Sequence, residues 1–416
     1  MVTIIFRNAN VFDGWSEDLR PGCDVLVVDG EIRDVSETAL KVPAGTEVID
    51  CAGRVLMPGL IDAHVHVYGA GLDVSKAVKR PGTYLAHYAA RFLTGCLNRG
   101  FTTVRDVGGG DVGLATALQD GLLEGPRLFY GGRVLSQTGG HGDMRPGDHD
   151  LDAAHAMCGC ASHMDGLAVL ADGVDAVRRA VREELRRGAS HIKIMASGGV
   201  VSPTDPLDCC QYSDDEVRAA VDEATRMDKY VAAHCHPTAA IRRCVELGVN
   251  SIEHGTMIDA PTAALAAERN AFVVPTMAIQ HALHAHGRRM GMPEANLAKM
   301  ECVVAATMQG LDIMRRAGVS MGFGTDLLGA LCDLQSTEFT LRARVLPAIE
   351  ILRSACAVNA RLLRQEGRLG CIRPGACADL LVVDGNPLHD ISVLARGDET
   401  LRVVMVAGRF HKRALP

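Results

Sequence analysis

Two features are missing from the 416-residue sequence: a long basic stretch, and an apolar run of the length that a membrane span needs. Lys and Arg together number 43 against 50 Asp and Glu, which gives a net charge of −7. Because a protein that follows a nucleic-acid backbone needs rows of cations, we do not expect nucleic acid as a partner. Arg7 and Asn8 interrupt the N-terminal apolar run well short of a signal peptide or of the ~20 residues that cross a membrane. We therefore expect a soluble, cytoplasmic protein with no membrane partner.

The sequence also lacks the cysteine spacing of a closed zinc site. Among its 14 cysteines, the closest neighbours are those of the Cys158-Gly-Cys160 motif and the Cys209-Cys210 pair. Neither has the partner pair that a structural zinc site requires. In a large intracellular chain, thiols are more often reduced and buried than cross-linked, so we interpret these as structural.

After Pro58, apolar strands alternate with amphipathic helices. A hydrophobic content of 48% over this length allows one large core and a smaller one beside it. Val177 and Val181 belong to a 3–4 residue repeat typical of a helix, and Ser213 with Glu216 forms a capping box before another helix. The eight predicted strands are GLIDAHVH, TTVRDV, RLFYGG, HIKIMASGG, YVAAHCH, SIEHG, AFVVPTM and VSMGFGTD. This alternation predicts an α/β fold, a closed parallel (β/α)8 TIM-like barrel.

Both ends of the chain differ from this middle part. Residues 1–57 contain three short β-rich runs, TIIFRNANVF, DVLVVDGEIRDV and TEVIDCAGRVLM, with the Gly and Asp punctuation of hairpins. Residues 369–416 are β-rich again, in LGCIRPGACADLLVVDGNPL and LRVVMVAGRF. We predict that residues 1–57 and 369–416 together build a small β-sandwich domain, and that residues 58–368 form the barrel.

Two histidines, His64 and His66, end the first predicted strand. Side chains at positions i and i+2 project from the same face of a strand, so both imidazoles can reach one metal ion. The pair alone is a weak signal, because the sequence has 16 histidines. Further polar candidates lie near the carboxyl ends of other strands, which surround the active-site mouth of such a barrel. They are Lys193, His234, His254 and Asp326.

Lys193 lies between Ile192 and Ile194 in a strand that is predicted to be buried. A lysine there is costly unless it is paired, although a lysine at a strand end can also extend to solvent. We favour carbamylation by CO2, which converts the amine into a carboxylate that can bridge two metal ions. Asp326 has two compatible interpretations, a helix N-cap and a catalytic carboxylate that carries a proton from the attacking water to the leaving amine.

These motifs resemble those of the amidohydrolase superfamily, in its binuclear metal-dependent branch. The resemblance extends over nearly the whole chain, from PGLIDAHVH through the lysine strand, the two later histidines and GTD to GACADLLVVDGNP. It implies two divalent metal ions, expected to be zinc, that activate water for amide hydrolysis. Carried over from the family pattern, the ligand set is His64, His66 and Asp326 for the first ion, His234 and His254 for the second, and a carboxylated Lys193 for both.

Within the superfamily, the chain is similar to the imidazolonepropionase-like group that contains Xaa-Pro dipeptidases (prolidases) and ochratoxin-degrading amidohydrolases. The segments that carry this similarity are LSQTGGHGD, KIMASGGVVSPTDP, GVNSIEHGTMID and GFGTDLLG. It implies hydrolysis of the amide or peptide bond of a dipeptide or N-acyl amino acid with a free C-terminal carboxylate. An ochratoxin-type amidase that releases phenylalanine from an aromatic acyl amide is the alternative. Lys193 argues against an imidazolonepropionase-like hydrolase of cyclic amides, and the complete ligand set argues against a non-enzymatic scaffold.

Two more histidines are expected at the same mouth. His141 lies in a Gly-rich loop after the third strand, where it is either held by Asp143 or donates a hydrogen bond to the scissile carbonyl as negative charge develops. His236 shares a strand face with His234, at a position where prolidases often have the tyrosine of an HAY triplet that contacts the substrate carboxylate. The HCH triplet here keeps that contact and puts a strict Xaa-Pro preference in doubt.

A histidine-rich segment, AIQHALHAHGRRMGMP, follows the seventh strand. We interpret His281, His284 and His286 within it as parts of a solvated helix or lid over the pocket rather than as a metal site. The expected partner is a small-molecule or dipeptide substrate, and the expected assembly is a homo-oligomer.

Overall fold

A computed structural model of the protein describes residues 2–77, 79–145, 167–202 and 204–415. The Cys158-Gly-Cys160 motif lies outside these ranges. The described part of the chain contains two sheets of parallel strands that together line a barrel, and one mixed sheet beside them. None of its helices combines the length and the apolar character that crossing a membrane requires.

Strands from both ends of the chain form the mixed sheet of eight strands, as the sequence predicted. Its order is β18-β17-β16-β5-β1-β2-β3, with β4 also paired to β1. The strands are β1 (Thr3–Val11), β2 (Arg20–Val28), β3 (Glu31–Ser36), β4 (Glu47–Asp50), β5 (Val55–Pro58), β16 (Leu380–Val383), β17 (Leu401–Val406) and β18 (Arg409–Arg413). The first two β-rich runs form antiparallel pairs, whereas the third, β4 and β5, pairs with β1 in parallel and is not part of a hairpin. The domain boundaries at residues 57 and 369 stay a prediction.

The barrel follows the eight strands predicted from the sequence. They are β6 (Leu60–Val65), β7 (Phe101–Asp106), β8 (Arg127–Tyr130), β11 (Ile192–Met195), β12 (Val231–Pro237), β13 (Ser251–Met257), β14 (Phe272–Val274) and β15 (Ser320–Met321). Two short strands, β9 (Val134–Ser136) and β10 (Ala168–Leu170), extend the barrel wall beside β11. The last strand meets the first, because Ala63 N donates to Phe323 O (2.8 Å) and Asp326 N to His64 O (2.8 Å).

The described helices connect the strands of the barrel and of the mixed sheet. They are α1 (Val74–Ala77), α2 (Gly82–Asn98), α3 (Val112–Gln119), α4 (Val174–Arg186), α5 (Asp214–Arg226), α6 (Thr238–Glu246), α7 (Ala260–Glu268), α8 (Met277–His286), α9 (Glu294–Arg316), α10 (Thr337–Arg342), α11 (Ala348–Arg353), α12 (Asn359–Leu362) and α13 (Gly397–Thr400). Short 3-10 helices occupy Gly329–Leu334 and Ile391–Arg396, and a π-helical turn occupies Ser354–Val358. The predicted capping box of Ser213 and Glu216 is present at the start of α5. Val177 and Val181 are buried on α4, as their spacing predicted.

On the N-terminal side of the barrel, the mixed sheet and the barrel are joined through a single residue. Gly59 separates β5, which pairs with β1 and β16, from β6, the first barrel strand. A β-carbon at this position would lie 2.0 Å from Thr102 Oγ1, so only glycine lets β6 approach β7 this closely.

Candidate active site

All eight residues singled out from the sequence line one cavity of about 380 Å³ at the carboxyl ends of the barrel strands. His64 is near the end of β6 and His66 follows it, while four further candidates lie within β11, β12 and β13. Asp326 follows β15, and His141 lies in the loop after β9. The structure therefore brings together side chains that are up to 262 positions apart (326 − 64) in the sequence.

The first group of ligand-type side chains consists of His64, His66 and Asp326, with one ligand atom of each within 4.8 Å of the others. Asp326 Oδ1 lies 3.4 Å from His64 Nε2 and 3.2 Å from His66 Nε2. Burial alone would lower the pKa of His66, but the hydrogen bond and charge of Asp326 raise it. Burial alone would raise the pKa of Asp326, but the two imidazoles hold it well below its usual range. The position between these three side chains therefore favours a positive charge, which a bound cation can supply.

The Nδ1 atoms of the same two histidines each contact an oxygen atom of the protein. His64 Nδ1 lies 2.7 Å from Glu253 Oε2, and His66 Nδ1 donates to Gly108 O at 3.0 Å. A carbonyl oxygen can only accept, so the proton of neutral His66 is on Nδ1 and the lone pair is on Nε2. Metal-binding histidines commonly have their second nitrogen held in this way.

The second group consists of His234, His236 and His254, again with one ligand nitrogen of each within 4.8 Å of the others. His234 Nε2 donates to Gly198 O at 3.1 Å, which leaves the Nδ1 lone pair free, and His254 Nδ1 contacts Thr276 Oγ1 at 2.7 Å. Burial lowers the pKa values of His234 and His254 well below their usual range, so both imidazoles are neutral. Sequence reasoning placed His236 at the substrate and did not group it with these two.

Lys193 is 1% exposed in the wall of the cavity. Within the described part of the chain, no hydrogen bond or ion pair holds its Nζ, although Glu253 and Asp326 act on it through their charges. Burial lowers the pKa of this amine. Lys193 lines the same cavity as both groups, and its charge acts to lower the pKa values of His66 in the first group and His254 in the second.

A buried ion pair supports the first group from outside the cavity. Arg105 Nη2 lies 2.7 Å from Glu253 Oε1, and both side chains have no exposed surface. Arg105 Nε also donates to Ala63 O in β6 at 2.6 Å. Sequence reasoning missed both residues, although each is a charged residue in a buried strand, which is the signal that identified Lys193.

Two buried aspartates shape the segments that carry the candidate ligands of the first group. Asp62 accepts hydrogen bonds from Thr325 Oγ1 (2.6 Å) and Gln335 Nε2 (2.8 Å), which holds the segment before Asp326 against β6. Asp106 accepts from the backbone N–H groups of Val67 and Gly108, at 2.7 Å and 3.0 Å, and so positions the carbonyl that contacts His66. Burial raises the pKa of both aspartates, and the hydrogen bonds that they accept oppose this rise.

His141 is held by the loop after β11 and not by Asp143. Its Nδ1 lies 2.7 Å from Ser202 Oγ, and its ring stacks on that of His234 with 4.2 Å between centroids. Asp143 instead binds the guanidinium of Arg145, so the interpretation of His141 as a partner of Asp143 is wrong. Burial lowers the pKa of His141 to about 4, so the imidazole is neutral near pH 7.

The helix N-cap interpretation of Asp326 is also wrong. The 3-10 turn that follows begins at Gly329, and Leu328 is its N-cap residue. Asp326 itself has a left-handed backbone with φ of 58°, and His254 has φ of 71°. Such conformations are unusual for residues other than glycine and occur often at functional sites.

The rest of the cavity is largely apolar. Met195, Ile279, Leu283 and Met300 are among the residues that line it, and Lys79 and Arg145 supply cations to the lining. Helix α8 contributes Ile279, Gln280 and Leu283 to the lining, and the interpretation of this segment as a lid stays a prediction. The histidines at positions 281, 284 and 286 are on this helix, and none belongs to either ligand group among the described residues.

The donor set fits divalent metal ions. Imidazole nitrogens and a carboxylate oxygen are the ligands that zinc takes in hydrolases, and each group offers three of them. Lone pairs directed inward, with the other ring nitrogens held by the protein, match the arrangement that a metal ion needs.

The closed barrel and its histidine-lined mouth define the chain as a (β/α)8-barrel enzyme with metal-type ligands. A model of the amidohydrolase family matches residues 55–410, and the chain belongs to that family. It is a hydrolase that acts on amide bonds, as the resemblance predicted.

Three relatives are similar over nearly the whole chain. The curated ochratoxinase of Aspergillus niger is 32% identical over 406 residues, which is 94% of this chain and 83% of that protein. A prolidase crystallised with N-methylphosphonate-L-proline is 44% identical with a TM-score of 0.94, covering 99% of this chain and 100% of that one. A Xaa-Pro dipeptidase with bound methionine is 29% identical with a TM-score of 0.87, at the same coverage.

Proposed function

We propose that this enzyme hydrolyses the amide bond of a dipeptide or N-acyl amino acid whose leaving amino acid has a free carboxylate. The observation that carries the proposal is the position of His236, a buried neutral imidazole that lines the cavity beside both ligand groups. The similarity to a prolidase and to a Xaa-Pro dipeptidase supports the same substrate class.

The proposed metal ligands are His64, His66 and Asp326 for the first ion, His234 and His254 for the second, and a carboxylated Lys193 for both. Two divalent ions, proposed to be zinc, would lower the pKa of a water molecule and polarise the scissile carbonyl. The burial of Lys193 near both groups supports a bridging role, because none of the residues that the structure describes offers its amine the ion pair that would offset this burial.

Other catalytic roles belong to individual side chains of the cavity. Asp326, at the edge of the first group, accepts the proton of the attacking water and delivers it to the leaving amine. His141 donates a hydrogen bond from Nε2 to the carbonyl oxygen as negative charge develops there. This role requires the hydroxyl hydrogen of Ser202 to be directed to Nδ1 of His141, at 2.7 Å, and not to Gly199 O, at 3.4 Å, which puts the ring hydrogen on Nε2.

His236 donates a hydrogen bond to the carboxylate of the leaving amino acid. The apolar residues Ile279, Leu283 and Met300 accept a bulky side chain in the same cavity. This wall favours aromatic or aliphatic leaving residues as readily as proline. The second candidate function is an ochratoxin-type amidase, which would release phenylalanine. The same apolar residues and the similarity to ochratoxinase support it.

The test compares pairs of substrates that differ only in the C-terminal group. Zinc-loaded enzyme is assayed with Xaa-Pro and Xaa-Phe dipeptides and with ochratoxin-type amides, each as the free acid and as the C-terminal amide. We expect a lower KM for the free acids, and we expect His236→Ala to raise that KM more than it lowers kcat. The matched control is His284→Ala, because His284 is exposed on α8. Equal turnover of acid and amide by the wild-type enzyme would contradict the proposed substrate class.

A further inference from the structure

A chain of buried hydrogen bonds connects His236 to two helices that line the cavity. His236 Nδ1 lies 3.1 Å from Thr256 Oγ1 in β13, and Gln280 Nε2 of α8 donates to the same hydroxyl at 3.2 Å. At its other end, Gln280 Oε1 accepts a hydrogen bond from Thr307 Oγ1 of α9. All four side chains are between 3% and 5% exposed, so water does not compete for these contacts.

The direction of each hydrogen bond follows from the groups involved. The amide of Gln280 is oriented with its oxygen toward Thr307 and its NH2 group toward Thr256. An amide oxygen can only accept, so the single hydroxyl hydrogen of Thr307 is directed to Gln280 and not to Val303 O, which lies 2.9 Å away, and the NH2 group donates to Thr256. A threonine hydroxyl has one hydrogen. Because Thr256 Oγ1 accepts from Gln280, its own hydrogen is available for the lone pair of His236 Nδ1.

A neutral imidazole has one N–H group and one lone pair. With Nδ1 as the acceptor, the hydrogen of His236 is on Nε2, the nitrogen that Thr256 does not hold. An Nε2–H group can donate to a carboxylate but has no lone pair for a cation. His236 is thereby distinguished from His234 in the same ligand group, whose Nδ1 lone pair is free because its Nε2 donates to Gly198.

We propose that Gln280 and Thr256 are positioning residues that determine substrate specificity, because they fix His236 as an N–H donor to the carboxylate of the leaving amino acid. This inference rests on the proposed function, in which His236 contacts that carboxylate. It adds the reason why a third imidazole in the second ligand group binds substrate and not metal. Reversing the direction of the chain of hydrogen bonds converts His236 from a donor to the substrate into a metal ligand.

The decisive variant is Gln280→Glu. A carboxylate at this position can only accept, so it takes the hydroxyl hydrogen of Thr256, which then accepts from His236 Nδ1–H. For the free-acid substrate we expect KM to rise about 10- to 100-fold, the effect of one lost hydrogen bond to a charged group, with kcat within about 3-fold. The KM for the C-terminal amide should stay within about 3-fold of the wild-type value.

Thr256 provides a test without a change of charge. Thr256→Val removes the hydroxyl and should raise the KM for the free acid, whereas Thr256→Ser keeps the hydroxyl and should restore a value near that of the wild type. Thr103→Val is the matched control, since Thr103 is a buried threonine of β7 that does not line the cavity and whose hydroxyl has no hydrogen-bond partner within the described residues. It should leave both KM values unchanged.

The tautomer of His236 can be read without substrate. In 15N-histidine-labelled, zinc-loaded protein, the His236 resonances, assigned by their loss in His236→Gln, should show the hydrogen on Nε2 in the wild type and on Nδ1 in Gln280→Glu. A wild-type hydrogen on Nδ1, or an unchanged acid-to-amide KM ratio in Gln280→Glu, would overturn the inference. Failure of the proposed function is distinguishable, because wild-type enzyme would then not discriminate between acid and amide at all.

Discussion

Glu253 Oε2 lies 2.7 Å from His64 Nδ1, and neither side chain has more than 1% of its surface exposed. The carboxylate therefore fixes the orientation of the imidazole, as a second layer of residues does around many metal sites. Glu253→Gln should weaken binding of the first ion by about 10- to 100-fold. Metal affinity is measured by competition with a chromogenic chelator on protein shown to be folded by circular dichroism. The control is Glu246→Gln on the surface of α6, and equal affinities of the two variants would remove Glu253 from this role.

Lys193→Ala should lose bound metal and turnover together, because the proposed bridge between the two ions disappears. Elemental analysis should give about two ions per chain for the wild type and for Lys41→Ala, whose lysine is exposed. Mass spectrometry of the native protein should also detect the CO2 adduct on the wild type and not on the variant. A single ion per chain in the wild type, with normal turnover of Lys193→Ala, would contradict the assignment.

His141→Ala should lower kcat by about 10²- to 10³-fold, the usual effect of removing one hydrogen-bond donor to a developing oxyanion. Ser202→Ala keeps the imidazole but removes the contact that directs it, so we expect a smaller loss of kcat. Steady-state kinetics on both variants, with metal content measured in parallel, separates this role from metal binding. An unchanged kcat in His141→Ala would exclude it from the mechanism.

Glu223 connects α5 to α4 and provides a prediction for pH. Arg182 and Arg178 donate to its carboxylate at 2.8 Å and 2.6 Å, and these hydrogen bonds lower its pKa from 4.5 to about 2. Because the pKa is lower in the folded state, the contribution to stability is complete above pH 4.5 and is lost as the pH falls toward 2. The difference in free energy of unfolding between wild type and Glu223→Gln should therefore be larger at pH 7 than at pH 3 in urea titrations. A difference that does not change with pH would contradict this.

Much of the barrel could be predicted because buried parallel strands appear as apolar runs of a few residues between amphipathic helices. The grouping of the proposed ligands was predictable for a related reason, since they follow these runs at the end where a barrel has its mouth. His64 and Asp326 thus could be assigned to one site before any contact between them was known. The third β-rich run at the N-terminus was wrongly interpreted, because a composition typical of strands does not specify whether they pair in parallel or antiparallel.

The partners of the site residues could not be predicted in the same way. Ser202 holds His141 from a different loop, and Gln280 reaches Thr256 from a helix, so both contacts depend on how separate elements pack. Arg105 and Glu253 are also charged residues in buried strands, so the argument used for Lys193 would have identified them too. The homo-oligomer and the cytoplasmic location stay predictions.

Because a single residue connects β5 to β6, the number of residues between these two strands cannot change without shifting β6. β5 is fixed by its neighbours in the mixed sheet, and a one-residue shift in a strand turns every side chain to the opposite face. One alanine inserted after Gly59 should therefore turn His64 and His66 away from the cavity and abolish metal binding, as elemental analysis would show. The same insertion beside Leu122, which is 79% exposed in a surface turn, should be harmless. Length variation in this enzyme thus belongs to its loops, and the joint at Gly59 determines on which side of the barrel wall the first two ligands lie.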